Sequence, residues 1–323
     1  MFKRLGCKAF IATITMLFAL LSVAQAQDKV VRLIVPFGPG AAQDLMARTI
    51  SQELGAALGQ TVIVENKAGA GGVIGTTLVS RAAPDGQTLD MAAAGHLIAK
   101  YVYKNLPYEP LTALVPAGYT GLVGYVLIVP GDSPINSVGD LIKMVKENPG
   151  KYNYSSAGNG SITHLAMAYF AGLAGLQMEH IPMKSTGDAV MEVLTGRALA
   201  TISANIVALG FKDDKRVKLI AVTGAERSKF LPQIPTIAES GLPGYAVSSW
   251  FGLLAPAGTP KPVLDKIQAA TAKVMKDPVV LERLDKQGVE VSILTNEEFA
   301  QVLKESDKQV AEMVKKAGVQ MID

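Results

Sequence analysis

The chain reads as an α/β protein of two lobes, and three observations lead there. Short β-rich runs alternate with segments of helical periodicity from Val30 onward. The opening strand–helix–strand–helix–strand order implies a parallel sheet with helices packed on it. A second α/β series then starts at "GYVLIVPGDSP" (124–134), and two such series in one chain suggest two lobes.

Each element has a local reason. "VVRLIVPF" (30–37) is a buried strand, and "AQDLMARTISQELGAALG" (42–59) spaces Leu45, Ile50, Leu54 and Leu58 along a helix that stops at Gly59. "TVIVEN" is the next strand, "GVIGTTLVSRAA" a helix halted by Pro84-Asp85-Gly86, and "TLDMAAA" a third strand. In the second series Ser137 and Asp140 resemble a capping box for "VGDLIKMVKENPG". "KYNYSSAG", "MEHIPM", "ALATISAN" and "VKLIAVTG" read as strands, and "SITHLAMAYFAGLAG" and "GDAVMEVLTGR" as helices. "LPQIPTIAESGLPGY" is a surface connection dense in Pro and Gly, and "SSWFGLLAP" is one more strand. The chain closes with helices: Thr259 caps one with Pro260 at its first position, and Thr295 with Glu298 forms a second capping box.

The first 26 residues are a secretory signal: Lys3, Arg4 and Lys8 precede an apolar run from Ala9 to Val23 and a small-x-small site, Ala24-Gln25-Ala26. A membrane anchor would need a longer apolar core and no processing site. Cys7 precedes the apolar run, so it is misplaced for lipid attachment. A mature chain from Gln27 keeps about 297 residues and loses three basic and no acidic ones. The totals of 31 basic and 28 acidic thus become 28 of each, with no basic footprint for nucleic acid. The single cysteine leaves with the signal, which excludes disulfides and thiol catalysis. No later segment is long and apolar enough to span a bilayer. The expected protein is exported, soluble, globular and monomeric.

Ligands of open α/β sheets sit beyond the carboxyl ends of the strands, at helix starts. That selects three glycine-rich loops, "PFGPGAAQD", "NKAGAGG" and "SSAGNGS". The second is no dinucleotide fingerprint, because Ile74 occupies the third required glycine, and no Gly-Lys-Ser/Thr end makes it a Walker loop. Some of these glycines simply make tight turns. Three such loops in one chain nevertheless suit an anion held by main-chain N–H groups. An enzyme is harder to read. His96, His164 and His180 lack metal-site spacing, and His180 lies in a strand and is read as structural. Ser161 is outside any G-x-S-x-G, so Ser161 and His164 fit an N-cap and a first-turn residue better than a nucleophile and its base. Asp44 reads first as a charge favourable to the helix dipole and second as a ligand contact. Phe37 is core or a pocket wall.

Taken together the loops resemble the Bug family, the periplasmic solute receptors of tripartite tricarboxylate transporters. The similarity runs through "VPFGPGAAQDLMAR", "VIVENKAGAGGVIG", "SSAGNGSITHLA", "AVTGAERSKFLPQIPTIAESGLPGY" and "WFGLLAPAGTP", which span the mature chain. Departures fall near the ligand: Ala41 where the family has glycine, Met183-Lys184-Ser185 in place of Tyr-Lys-Gly, and Asn205 near a frequent aspartate. The resemblance implies a two-lobed type II periplasmic binding protein fold with a ligand cleft between the lobes. Residues 27–124 with 250–323 would form one lobe and 125–249 the other. It implies di- and tricarboxylates, acidic amino acids, nicotinate or aromatic acids as ligands, with no cofactor and no metal. The ligand would be held by Phe37, Gly38, Gly40, Ala41, Gln43, Asp44, Ala70, Gly71 and Gly72 from one lobe. Ser156, Asn159, Gly160 and Ser161 would hold it from the other, with Ser203 and Asn205 in support. The closed form would meet membrane permease subunits or a sensor kinase ectodomain. The rivals are an orphan receptor serving signalling alone and a secreted hydrolase acting through Ser161 and His164.

Overall fold

The apolar run at the start of the described chain becomes β1 (Val30–Val35) because the protein covers both of its faces, leaving Leu33, Ile34 and Val35 without solvent exposure. The computed structural model describes residues 30–323, so the signal segment and Gln27 lie outside the described residues. After β1 come α1 (Ala42–Leu58), β2 (Thr61–Asn66), a 3-10 turn (Ala70–Gly72), α2 (Val73–Ser80) and β3 (Thr88–Ala93). Gly59 ends α1 in the left-handed conformation, φ 68°, as the sequence predicts. β1 pairs in parallel with β2 and β3, giving the expected parallel sheet.

Two helices follow that the sequence reading does not contain, α3 (Gly95–Val102) and α4 (Pro110–Ala113). β4 (Leu114–Pro130) is longer than the expected strand at 124. Its early residues include Pro116, Gly118 and Gly121, which read as breakers. The strand tolerates them through register shifts at Pro116/Gly118 and Tyr119/Gly121.

The second series is α5 (Val138–Glu147), β5 (Asn153–Ser156), α6 (Ile162–Ala174), β6 (Glu179–Pro182), α7 (Thr186–Leu194), β7 (Ala200–Ala204), α8 (Asn205–Ala208) and β8 (Val217–Val222). β9 (Ser248–Pro256), α9 (Lys261–Val274), α10 (Pro278–Lys286), β10 (Val289–Glu290) and α11 (Asn296–Ala317) complete the chain. Thr295 and Glu298 form the predicted reciprocal capping box. Two caps differ from expectation. Asp140 accepts from Asn136 N–H rather than from Ser137, and the Thr259 hydroxyl donates to Pro256 O while Pro260 takes the cap position.

The strands form one curled sheet in the order β2-β1-β3-β9-β4-β7-β5-β6, with β8 and β10 on β4. β4 carries both halves: Leu114–Gly124 pairs with β9, and Tyr125–Pro130 pairs with β7 and β8. β9 returns beside it and sets Ala93 against Phe251. The fold is thus two-lobed α/β, with β4 and β9 running through its middle. Helix α11 packs over this region through Phe299, which is fully buried and lies edge-on to Trp250 and Tyr119, 5.2 Å from each ring.

Phe299→Ala is therefore expected to cost about 3–5 kcal/mol of stability. Urea unfolding of both proteins reads the loss, and the folded variant's Trp250 emission should shift because one wall of its surroundings is gone.

Candidate functional site

The parallel strands of each lobe end in loops, and the two sets of loops meet. Gly38 N–H donates to Lys184 O across the gap at 2.9 Å. Gly71 approaches Asn159 so closely that a Cβ on it would sit 1.8 Å from the Asn159 carbonyl oxygen. Gly95 faces Gly160 and Ser161, and the Tyr103 hydroxyl donates to Asn159 O at 3.0 Å. The lobes are shut on one another, backbone against backbone, which only glycine permits at Gly71.

The first loop is held by a buried knot. The Asp44 carboxylate accepts from Gly40 N–H at 3.0 Å, from Arg48 Nε at 3.0 Å and from Asn66 Nδ2 at 2.9 Å, and Asn66 Nδ2 also donates to Phe37 O. Burial pushes the Asp44 carboxyl up. The hydrogen bonds from Arg48, Gly40 and Asn66 outweigh burial and hold it below its usual range. Its acceptors are thus spent inside the protein, so Asp44 shapes the loop. Beyond the knot, α1 starts at Ala41 with no side-chain cap, although Ala41, Ala42 and Gln43 are buried. Helix starts buried in this way leave N–H groups in need of an acceptor.

The second loop repeats the pattern with different chemistry. Ala70, Gly71 and Gly72 have φ of 46°, 58° and 105°, three left-handed residues in a row. For Ala70 this is a strained conformation, at a cost of about 1–2 kcal/mol. Neither the 3-10 turn nor α2 has a side-chain cap. Helix α3, entering at Ala94 and Gly95, has none either. Three uncapped, closely grouped helix starts thus come from one lobe.

The other lobe is built oppositely. Ser137, Ser161 and Ser185 each cap a helix through the side chain. Ser161 Oγ accepts from His164 N–H at 3.2 Å and touches Thr163 Oγ1 at 3.1 Å; it does not reach the His164 ring, whose Nδ1 accepts from Gly160 N–H. Ser156 Oγ bonds His180 Nε2 at 2.6 Å and accepts from Gly158 N–H. His180 is stacked on His164 at 4.1 Å and on Tyr154 at 5.0 Å, and burial lowers the two imidazoles to about 3 and about 4. Asn159 lines an outer groove with Val102 and Gln320, and its carbonyl faces Gly71. Ser203 is buried in β7, and Asn205 opens α8 with its Oδ1 buried and unpartnered among the described residues.

Sequence reasoning did not count several neighbours among the ligand-holding residues, Lys184 and Ser185 being noted only as departures near the ligand. Lys184 to Gly187 abut the first loop, with Gly187 against Gly40 O. Phe37, Gln43, Gly71 and Gly72 also line a small pocket together with Asp90 and His96, barely large enough for one water. The glycine of "AAAGHL", following a strand, is the signal that marks a fourth loop at Gly95. Asp90 carries no signal beyond being an acid inside an apolar strand.

Known proteins share this arrangement. A family model described as Tripartite tricarboxylate transporter family receptor matches residues 46–319. The UPF0065 protein in the tcbD-tcbE intergenic region of Pseudomonas sp. (strain P51) is 38% identical over 266 residues, which cover 80% of this chain and 77% of that protein. The structure of periplasmic binding protein BugD superposes with a TM-score of 0.87 at 37% identity, covering 91% of this chain and 99% of BugD. MatC from Rhodopseudomonas palustris with bound malate superposes with a TM-score of 0.85 at 29% identity, over 88% of this chain and 98% of MatC.

Asp44→Ala should destabilise the protein by about 1–3 kcal/mol, because it leaves Gly40 N–H without its acceptor. The folded-state pKa of Asp44 is depressed, so the wild type's advantage is complete above pH of about 4, the unfolded value, and is lost as pH falls through the folded value. Denaturant unfolding of both proteins across that range measures it.

Proposed function

The chain belongs to the tripartite tricarboxylate transporter receptor family, and from that premise we propose that it captures a small carboxylate in the periplasm and presents it for uptake. The observation that carries this reading is the group of three helix starts without side-chain caps, at Ala41, Gly69–Gly72 and Ala94, beside the interlobe contact. A carboxylate placed there accepts from main-chain N–H groups and meets the positive ends of helix dipoles, each worth about 0.3–1 kcal/mol. Such a site needs no lysine or arginine.

In this reading residues 27–124 with 250–323 form one lobe and 125–249 the other; the change of β4's partners at Gly124/Tyr125 supports that division. The ligand rests on Phe37, Gly38, Ala41, Gln43 and Ala70–Gly72. Gly40 and Asp44 hold the first loop in shape. Ser156, Asn159, Gly160 and Ser161 close on it from the second lobe, with Ser203 and Asn205 in support. No described helix is long and apolar enough to cross a membrane. Export through a signal cleaved before Gln27 delivers the chain, a monomer, to the permease subunits of its transporter. A sensor kinase ectodomain is the alternative recipient. The hydrolase reading falls, because the family is one of receptors and Ser161 bonds the main chain of His164 rather than its ring.

Calorimetry against a panel of carboxylic acids tests the reading, and one should bind with one site per chain. At one hundred times its dissociation constant it should add about 2.7 kcal/mol of stability. It should also change Trp250 emission, since Trp250 lies on β9 at the lobe boundary, paired with Leu122. Binding with neither an emission change nor a change in small-angle scattering would contradict closure. Gly71→Val should abolish binding, because the side chain meets the Asn159 carbonyl and forces the loops apart. Full affinity in a folded variant would move the ligand elsewhere.

A further inference from the structure

The small pocket beneath the interlobe contact has two chemically different ends. One carries Gln43 and the loop glycines Gly71 and Gly72. At the other, Asp90 on β3 is fully buried; Thr76 Oγ1 donates to its Oδ2 at 3.0 Å, and its Oδ1 has no partner among the described residues. His96, in the first turn of α3, has Nε2 2.8 Å from the Pro110 carbonyl. A carbonyl accepts only, so Nε2 carries the proton and Nδ1 presents a bare lone pair. That lone pair is buried and likewise unpartnered. The ring is held in place by stacking on Tyr108, 5.8 Å away and 6° from parallel.

Two buried acceptors therefore line one pocket, and no lysine or arginine lines it. A buried acid without a counter-ion is costly, and so is a buried lone pair without a donor. A group that donates hydrogen bonds and carries positive charge would satisfy both, whereas a second carboxylate would meet a like charge and leave both acceptors without a donor. We propose that Asp90 and His96 form a subsite for an ammonium group, so that this receptor takes a carboxylate bearing an amino group in preference to a dicarboxylate. The inference rests on the carboxylate-receptor reading. An ammonium is about the size of the one water the shut pocket can hold, and the rest of the ligand lies toward Gln43 and the glycine loop. Burial raises Asp90 to about 7 and lowers His96 to about 4, which keeps His96 a neutral acceptor. The groups facing Asp90 are Thr76 from α2, Tyr108, His96 from α3 and Gln43 from α1, so Asp90 is the one that titrates near neutrality. An arriving ammonium displaces the Asp90 proton, and affinity should rise as pH rises through about 7.

The test is calorimetry of wild type and Asp90→Asn with amino acids bearing the amino group on the second to fifth carbon, and with dicarboxylates of matching length. Thermal unfolding checks that the variant folds. The proposal expects an amino acid to bind the wild type roughly tenfold or more above its matched dicarboxylate, and Asp90→Asn to lose that advantage. It also expects wild-type affinity for that amino acid to improve between pH 6 and pH 8, a readout that needs no variant. If dicarboxylates or other acids without a donor bind as well, or Asp90→Asn leaves amino-acid affinity unchanged, the pocket holds a water only. The subsite is then wrong while the receptor reading stands. If no carboxylic acid binds at all, both fall.

Discussion

Helix starts must find acceptors for their N–H groups, and in this protein the two lobes meet that demand in opposite ways. In the lobe of α5, α6 and α7 a serine side chain closes each start. In the lobe of α1, α2 and α3 no cap residue does so with its own side chain, although Ala94 N–H ahead of α3 donates to Ser249 Oγ and Gly72 N–H ahead of α2 to Gly69 O. α8 and α9 also lack a side-chain cap: α8 is a single buried turn that follows β7 directly, and α9 begins at exposed Pro260 and Lys261, where water serves. The uncapped starts of α1 and α3 are buried, and a buried start needs acceptors. In the proposed function that need is met by the anion, with the lobe of α5, α6 and α7 as its cover.

The rest of the site follows from keeping those starts open and close together. Asp44 could have served α1 as a ligand-facing acid, but it ties Gly40, Arg48 and Asn66 into one knot that fixes the loop ahead of the helix. Ala70 is held left-handed with Gly71 and Gly72 so that the chain enters α2 from the cleft side. The cover approaches through main chain, by Lys184 O on Gly38 and Asn159 O on Gly71. Backbone contacts of this kind exclude water without adding charge to the proposed site.

Much of this architecture was legible in the sequence because it rests on local chemistry. The strand runs, Gly59, the Thr295–Glu298 box and the glycine-rich loops each announce themselves within a few residues. The glycine loops also marked where the lobes meet. Three features were not legible. The early part of β4 was hidden by Pro116, Gly118 and Gly121, whose effect is absorbed by register shifts that depend on β9, far along the chain. Helix α3 begins with no cap residue, so the usual starting signal is missing for the same reason that the site exists. The roles of Asp44 and Ser156 turned on which atoms their side chains reach, and Asp90 enters through tertiary packing that no spacing encodes, whereas Ser161 was legible as the N-cap it proves to be.

The central claim is that the uncapped starts, and not the serine caps, take the ligand's carboxylate. Amide chemical-shift mapping on isotope-labelled protein tests it most directly, with a carboxylic acid shown by calorimetry to bind. The account predicts that the largest shifts and the strongest slowing of hydrogen exchange fall on the amides of Ala42, Gln43, Gly71 and Gly95. Perturbations concentrated instead at His164 and Asp188, whose amides are capped by Ser161 and Ser185, with the first group unmoved, would contradict it.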